Sequence, residues 1–236
     1  MVSCKSILVR TAIFLLFLLA TFPAYGQRAT VGINVGASSD QFGTLPQVTA
    51  ADLGLDGQFI LFPANKDGSP NIVVGGELRA PTDTSDHATE FAIFAGPHFP
   101  VRNFTFGFNV QIRKILMPHA EVSGTVLDRF NMELLEIPVV LKYKFGPAKR
   151  AYIEAQGQPE FTPRFKAHGP SLSGVPYPNF DYGYTVRGTV GYVVGKWYVK
   201  GSYENRIFKF VDNANNRYDI YNWRSNNLTG GIGLIF

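Results

Sequence analysis

The stretch 227–236 reads Asn-Leu-Thr-Gly-Gly-Ile-Gly-Leu-Ile-Phe and ends the 236-residue sequence on an aromatic residue. Side chains alternate between the two faces of a β-strand, and here one parity is apolar while the other is polar or glycine. We interpret the stretch as the strand that closes a transmembrane β-barrel by pairing with residues 29–37. Its apolar parity resembles the signal that the barrel-assembly machinery reads, and comprises Leu228, Ile232, Leu234 and Phe236.

The first 26 residues have the layout of an export signal. Lys5 and Arg10 precede an apolar run over residues 13–22, and small residues follow at 24–26. The run is too short to cross a bilayer, which takes about 20 residues. We therefore predict a cleaved signal peptide over 1–26, export through the Sec pathway, and a single barrel domain over 27–236 in the bacterial outer membrane.

Charge and cysteine content exclude several classes of function. Removing the signal takes away two of the 22 basic residues and none of the 18 acidic ones, and no basic block remains. The pI near 9.1 is therefore no argument for nucleic-acid binding. The single cysteine, Cys4, lies in the signal, so the mature chain has no disulfide, thiol nucleophile or cysteine-based metal site.

Alternating segments recur through the mature chain. The clearest is 104–113, where Phe104, Phe106 and Phe108 begin an apolar face that Thr105 and Gly107 oppose. The composition, with 24 Gly, 20 Phe, 11 Tyr and only 17% charged residues, favours strands and turns over helices. Repeated segments of this kind are the sequence mark of an outer-membrane barrel.

Short and long connections take turns between these segments. Short turns are predicted near 64–69, 100–103, 146–149 and 195–196, and longer loops near 38–51, 80–89, 114–131, 164–179 and 211–225. Bacterial barrels have short periplasmic turns and long extracellular loops, so the connections predict an all-β, antiparallel up-and-down barrel of ten strands. Eight strands remain the alternative, because residues 151–162 alternate poorly. An aromatic girdle is expected beside the short turns, formed by Phe62, Phe99, Phe104, Phe145, Tyr152, Tyr192, Trp197 and Phe236.

A lipocalin-like barrel or a secreted sandwich would show similar alternation with the apolar parity turned inward. The export signal, the aromatic residues beside the short turns and the apolar terminal strand favour the membrane barrel.

The segment 135–143, Leu-Glu-Ile-Pro-Val-Val-Leu-Lys-Tyr, resembles a strand of the PorT-like outer-membrane β-barrel family. The glycine-rich first strand and the terminal Phe236 are similar to that family as well. The resemblance implies an outer-membrane barrel, usually of eight strands, and for most members no assigned activity.

The polar parity predicts a charged lumen in which both signs interleave. Because unpaired buried charge is costly, we expect these groups to satisfy one another and fill a narrow barrel, with a passive pore for ions or small solutes as the alternative. Glu136 and Lys142 are the pair that we most expect to be structural. The predicted cluster comprises Glu77, Arg79, Glu90, Arg113, Glu136, Lys142, Lys144, Glu154, Arg187, Lys200, Glu204 and Arg206.

The four histidines are the natural candidates for catalysis. His87 and His119 lie in predicted extracellular loops beside acidic residues, where a carboxylate and a histidine could activate water, and His119 could act with Ser123 on a lipid. His98 and His168 have no evident partner. None of these spacings is a specific motif, so we expect no enzyme, no cofactor and no metal site; a rim-located hydrolase ranks third.

The loops offer a role in surface recognition. Residues 114–131 are unusually apolar for a solvated loop, which indicates a strand extension, a hairpin above the membrane, or a contact surface. We therefore expect a monomeric barrel with a structural or recognition role. The partners expected are outer-membrane lipid and lipopolysaccharide, the barrel-assembly machinery and an extracellular ligand, and no nucleic acid.

Overall fold

The computed structural model describes residues 29–42, 47–82, 88–117, 120–122, 125–127, 129–168, 179–211 and 222–236. The predicted signal peptide lies outside these residues and stays a prediction. Apart from one 3₁₀ turn, Pro147–Lys149, the described elements are strands. They are β1 (Ala29–Phe42), β2 (Val48–Phe62), β3 (Asn71–Pro81), β4 (Thr89–Val101), β5 (Phe104–Phe108), β6 (Val110–Met117), β7 (Ala120–Val122), β8 (Thr125–Leu127), β9 (Arg129–Glu136), β10 (Val139–Phe145), β11 (Ala151–His168), β12 (Asn179–Val194), β13 (Trp197–Val211) and β14 (Trp223–Ile235).

Twelve of these strands form one closed antiparallel sheet. β14 pairs with β1 from Thr30 opposite Ile235 to Phe42 opposite Trp223, so the sheet closes on itself. β5 and β6 pair with β4 in one continuous register, so they are two halves of one interrupted strand. β9 and β10 are related in the same way along β11. Counting each of these pairs as one strand, the barrel has ten strands; this prediction is confirmed, and the eight-stranded alternative is wrong.

The two broken strands are interrupted side by side. Pro138 has no N–H and cannot complete the ladder, although its carbonyl accepts a hydrogen bond from the Asn109 N–H at 2.9 Å. The interruption therefore falls inside the Leu-Glu-Ile-Pro segment, and the register on both of its sides is the same.

Several strands run further than the alternation predicts. β1 continues to Phe42 and β2 begins at Val48, so the first long connection is much shorter than residues 38–51. Here the ladder persists after the outward side chains have stopped being apolar, as at Ser39 opposite Asn226. Residues 114–131 likewise form the ends of β6 and β9 with the small hairpin β7–β8 between them, so both a strand extension and a hairpin are present.

The outer face of the barrel is apolar. Val35, Ile112 and Val190 are each more than half exposed, and other outward positions match them. At the end that carries the short turns, called the short-turn end below, Phe62, Phe104, Phe145, Tyr192, Trp197 and Phe236 are also exposed. Tyr152 was wrongly predicted to join them: its neighbour Ile153 points outward, and the Tyr152 ring lies inside beneath the Lys142 ammonium at 3.9 Å.

Among the described residues, no helix is both long enough and apolar enough to cross a membrane.

Candidate functional site

The candidate site is the barrel interior. Burial shows which parity faces inward, and on most strands the inward positions alternate with exposed apolar ones. All twelve residues of the predicted charged cluster lie on this inward parity. The structure adds Asp40, Asp52, Asp56 and Glu160, of which Asp40, Asp52 and Glu160 are almost fully buried.

The middle of the lumen is occupied by a charged layer centred on Glu90. One Glu90 oxygen accepts from Arg113 at 2.8 Å, and the other accepts from Arg206 at 2.8 Å and from Arg79. Arg113 also donates to Glu136 at 2.9 Å and to Glu77 at 2.6 Å. Each arginine therefore serves more than one carboxylate, as its planar fork of donors allows.

Two of these ion pairs cross the full width of the barrel. Arg187 on β12 donates to Glu77 on β3 at 2.9 Å, and Arg206 on β13 donates to Glu90 on β4 at 2.8 Å. Counted around a ring of ten strands, each pair joins strands that stand five apart, on opposite walls. Glu204 adds contacts to Arg187, to Arg206 at 3.0 Å and to Arg79 at 3.4 Å. The charged layer thus bridges the lumen from wall to wall.

Towards the short-turn end lies a second, more open layer. Lys142 pairs with Glu154 at 3.1 Å, and Lys200 pairs with Asp56 at 2.7 Å, with each side chain about a fifth to a quarter exposed. The ring of Tyr152 lies beside Lys142. Lys144 lies further towards this end and is half-buried. Glu136 and Lys142 were the pair expected to be structural, but each binds a different partner. Glu136 accepts from Arg113, whereas Lys142 pairs with Glu154.

Towards the other end, which carries the long connections and is called the long-loop end, the lumen is apolar. Phe208 packs against Trp223 with ring centroids 5.1 Å apart, and Phe210 lies edge-on to Phe180 at 5.8 Å. The Trp223 Nε1–H donates to Asp40 at 3.0 Å, which satisfies the one polar group of the ring. Fully buried aliphatic residues complete this apolar layer: Ile115, Met132 and Leu134.

Between the layers the structure leaves a cavity of about 80 Å³, which Asp52, Asp56, Glu77, Lys200 and Asn227 help to line. This volume suits a few water molecules, each of which takes roughly 30 Å³ in the liquid. Chemically, the described lumen is an ion-paired and hydrogen-bonded filling between one closed apolar layer and one partly exposed polar layer.

Sequence reasoning missed four inward carboxylates for identifiable reasons. Asp40 falls in a predicted loop, Asp52 directly follows that loop, and Glu160 falls in the segment that alternates poorly. Asp56 could have been found, because it alternates with Leu53 and Leu55 on a clear strand pattern.

Of the catalytic candidates, the structure describes His98 and His168. His87, His119 and Ser123 lie outside the described residues. His98 is inward and 3.1 Å from the Asn109 side chain, and His168 ends β11. In the described part of the chain, no three His, Cys, Asp or Glu side chains gather in a way that could hold a metal ion.

The terminal strand points its apolar parity outward. Leu228, Ile232 and Phe236 are more than half exposed, and Leu234 is partly exposed. The Phe236 N–H donates to the Ala29 carbonyl at 2.9 Å, and the Ala29 N–H donates back at 3.3 Å, so pairing continues to the last residue.

Neither a known protein family nor a curated protein matches the chain in sequence. Solved outer-membrane barrels do match in fold. Neisserial surface protein A is 12% identical with a TM-score of 0.42, covering 88% of this chain and 97% of its own. The outer membrane protease OmpT from Escherichia coli is 12% identical with a TM-score of 0.47, covering 92% and 98%. An outer membrane channel from Pseudomonas putida F1 is 9% identical with a TM-score of 0.48, covering 92% and 100%. At such low identities these likenesses carry no argument about activity.

Proposed function

We propose that this chain is an integral outer-membrane barrel whose lumen is closed, and that it acts through the structures at its long-loop end. The observation that carries the proposal is the charged layer, in which Arg187–Glu77 and Arg206–Glu90 join opposite walls.

The membrane location is supported by the outer face. In water, a ring of exposed side chains such as Ile33, Val190 and Trp197 would be strongly unfavourable, whereas lipid accommodates it. A closed barrel also leaves no unpaired strand edge, which is a condition for β-structure in a bilayer. The export signal predicted over residues 1–26 agrees with this location.

The closed lumen favours a structural or recognition role over passive transport. A solute that enters from the short-turn end would meet the charged layer and then the apolar layer of Phe208, Phe210 and Trp223. Passage would require several buried ion pairs to break together, and each broken pair leaves an uncompensated charge. A non-enzymatic role belongs to the same proposal, since the hydrogen-bond partner of His98 among the described side chains is the Asn109 amide, which cannot act as a base.

The relation to PorT-like barrels is part of this proposal and is supported by the Leu-Glu-Ile-Pro segment, together with the glycine-rich first strand and Phe236. The ten strands observed exceed the eight that the resemblance implies.

Conductance in planar bilayers tests the closed lumen. We expect no stable current from the native protein. The positive control is R187A/R206A/F208A/F210A, which removes the arginines of both wall-to-wall ion pairs and two rings of the apolar layer and should pass current. A stable, ion-selective current from the native protein would overturn the proposal.

Fractionation tests the location. The native protein should migrate differently on gels before and after heating and should collect with outer membranes; a water-soluble periplasmic product would contradict it. An epitope inserted between Val122 and Thr125, in the hairpin β7–β8, should be reached by antibody on intact cells. Labelling only after permeabilisation would place the hairpin on the wrong side for recognition.

A further inference from the structure

Two basic side chains lie next to each other on the outer face, near the long-loop end. Register places Arg224 on β14 opposite Ile207 on β13, and Lys209 is two residues further along β13. Both residues share the outward parity of Tyr203 and Leu228. Lys209 and Arg224 are therefore diagonal neighbours, with Cα atoms roughly 7–8 Å apart for this arrangement. Tyr182 on β12 stands opposite Lys209 and is about half exposed. These three residues are called the basic edge.

The described residues provide no counter-charge for the basic edge. Asp181, the extra residue where the β12–β13 register shifts, is exposed but does not come within ion-pair distance of Lys209. The opposite wall differs: there the outward Lys114 pairs with Glu133 at 3.8 Å. Like charges on neighbouring positions of one sheet face are unfavourable, and an anion between them would remove the repulsion.

The height of the basic edge in the wall indicates what that anion is. A transmembrane strand crosses the apolar core in about 9–11 residues. On β13, Trp197 marks the boundary of the apolar core at the short-turn end. Ile207 is ten residues further along the strand, so it lies at the boundary near the long-loop end, and Lys209 lies just beyond it. A polar rung beneath Lys209 agrees with this boundary: Asn226 accepts from Tyr203 at 2.9 Å and from Asn205 at 2.8 Å. Lipid phosphates lie at the level where the apolar band ends.

We propose that Lys209 and Arg224, with the Tyr182 hydroxyl, bind a phosphate group of the phosphorylated glycolipid in the outer leaflet. Arginine can grip a phosphate with two parallel N–H donors, lysine adds a point charge, and the phenol adds one further donor. The inference rests on the proposed outer-membrane location and supplies a lipid-binding site on a defined side of the barrel, over β12, β13 and β14.

Binding of purified bisphosphorylated lipid A to the full protein in detergent micelles tests the site, with enzymatically dephosphorylated lipid A as the comparison. The native protein should bind the phosphorylated form at least tenfold more tightly. In the variant K209Q/R224Q that preference should fall to within about twofold. K114Q changes an outward lysine that already has Glu133 as a partner, and it should behave as the native protein.

Equal affinity of the native protein for both lipids would overturn the inference without any variant being made. An equal loss of preference in K114Q would also overturn it, because general surface charge would then explain the binding. Heat-modifiable migration and fractionation distinguish the two proposals. A barrel that collects with outer membranes but binds both forms of lipid A equally refutes only the lipid site.

Discussion

Replacing Glu90 by glutamine is the sharpest perturbation of the charged layer. The carboxylate lies inside the lumen with 3% of its side chain exposed, and three arginines donate to it. Glutamine preserves the size of the side chain but removes the negative charge and turns one oxygen into an NH₂ group. That NH₂ would face N–H donors, so at least one arginine N–H loses its acceptor in a buried setting.

The magnitude follows from these contacts. A hydrogen bond to a charged group contributes about 1.5–3 kcal/mol, and removal of one partner of a buried ion pair costs about 3–5 kcal/mol. Arg79 and Arg206 retain Glu204 at 3.4 and 3.0 Å, which offsets part of the loss. We therefore expect the lower end of that range, about 3 kcal/mol of the free energy of unfolding. With a slope of about 2 kcal/mol per molar urea, the midpoint should fall by about 1.5 M.

Urea unfolding in lipid vesicles, followed by tryptophan fluorescence, measures this change. The matched control is E133Q, which removes an exposed partner of Lys114 and should cost less than about 1 kcal/mol. The double variant E90Q/R206M should recover part of the loss, since it removes the arginine that spans the lumen to Glu90. If E90Q shifts the midpoint no more than E133Q does, the charged layer is not what holds the lumen together.

Three further changes test other parts of the structure. Deleting Phe236 should lower the assembled fraction in outer membranes, whereas F62A, an equally exposed aromatic at the same end, should not; normal assembly of the deletion variant would count against an assembly signal. In G191V the new side chain would overlap the Tyr152 ring, which should lower the free energy of unfolding by about 1–3 kcal/mol. The double variant G191V/Y152A should regain most of that stability when urea midpoints are compared. W223F removes the N–H donor to Asp40 and should lower the free energy of unfolding by about 1–3 kcal/mol. W197F, on the outer face, should change it little. Equal effects of the two variants would argue against the buried hydrogen bond.

The fold was readable from sequence because the membrane barrel repeats a period-2 pattern. Val31, Ile33 and Val35 alternate with Gly32 and Asn34, and that alternation assigns each face before any partner strand is known. Strand ends were less readable, since above the apolar band both faces of β1 are polar or small while its backbone pairing continues to Phe42.

The partners within the lumen could not be predicted in the same way. Parity says that Glu136 and Lys142 face inward, but which cation reaches a carboxylate depends on the width of the barrel and the stagger of its strands. Arg113 and Glu136 meet because β6 and β9 are neighbours, whereas Arg206 and Glu90 meet only because the sheet closes. Tyr152 shows the same limit: its place beside a turn suggested a lipid-facing aromatic, and only its neighbour Ile153 reveals the inward direction.

The wall-to-wall ion pairs also constrain the order of folding events. Glu77 and Arg187 are 110 residues apart in sequence, and Glu90 and Arg206 are 116 apart, so neither pair can form in a hairpin or in a growing open sheet. Until β14 meets β1, these arginines and glutamates would keep only the partners on their own and nearby strands, so part of the charge in the layer would stay uncompensated. Closure and neutralisation should therefore occur as one cooperative step, with partly wound sheets held back from the bilayer until the last strand is in place.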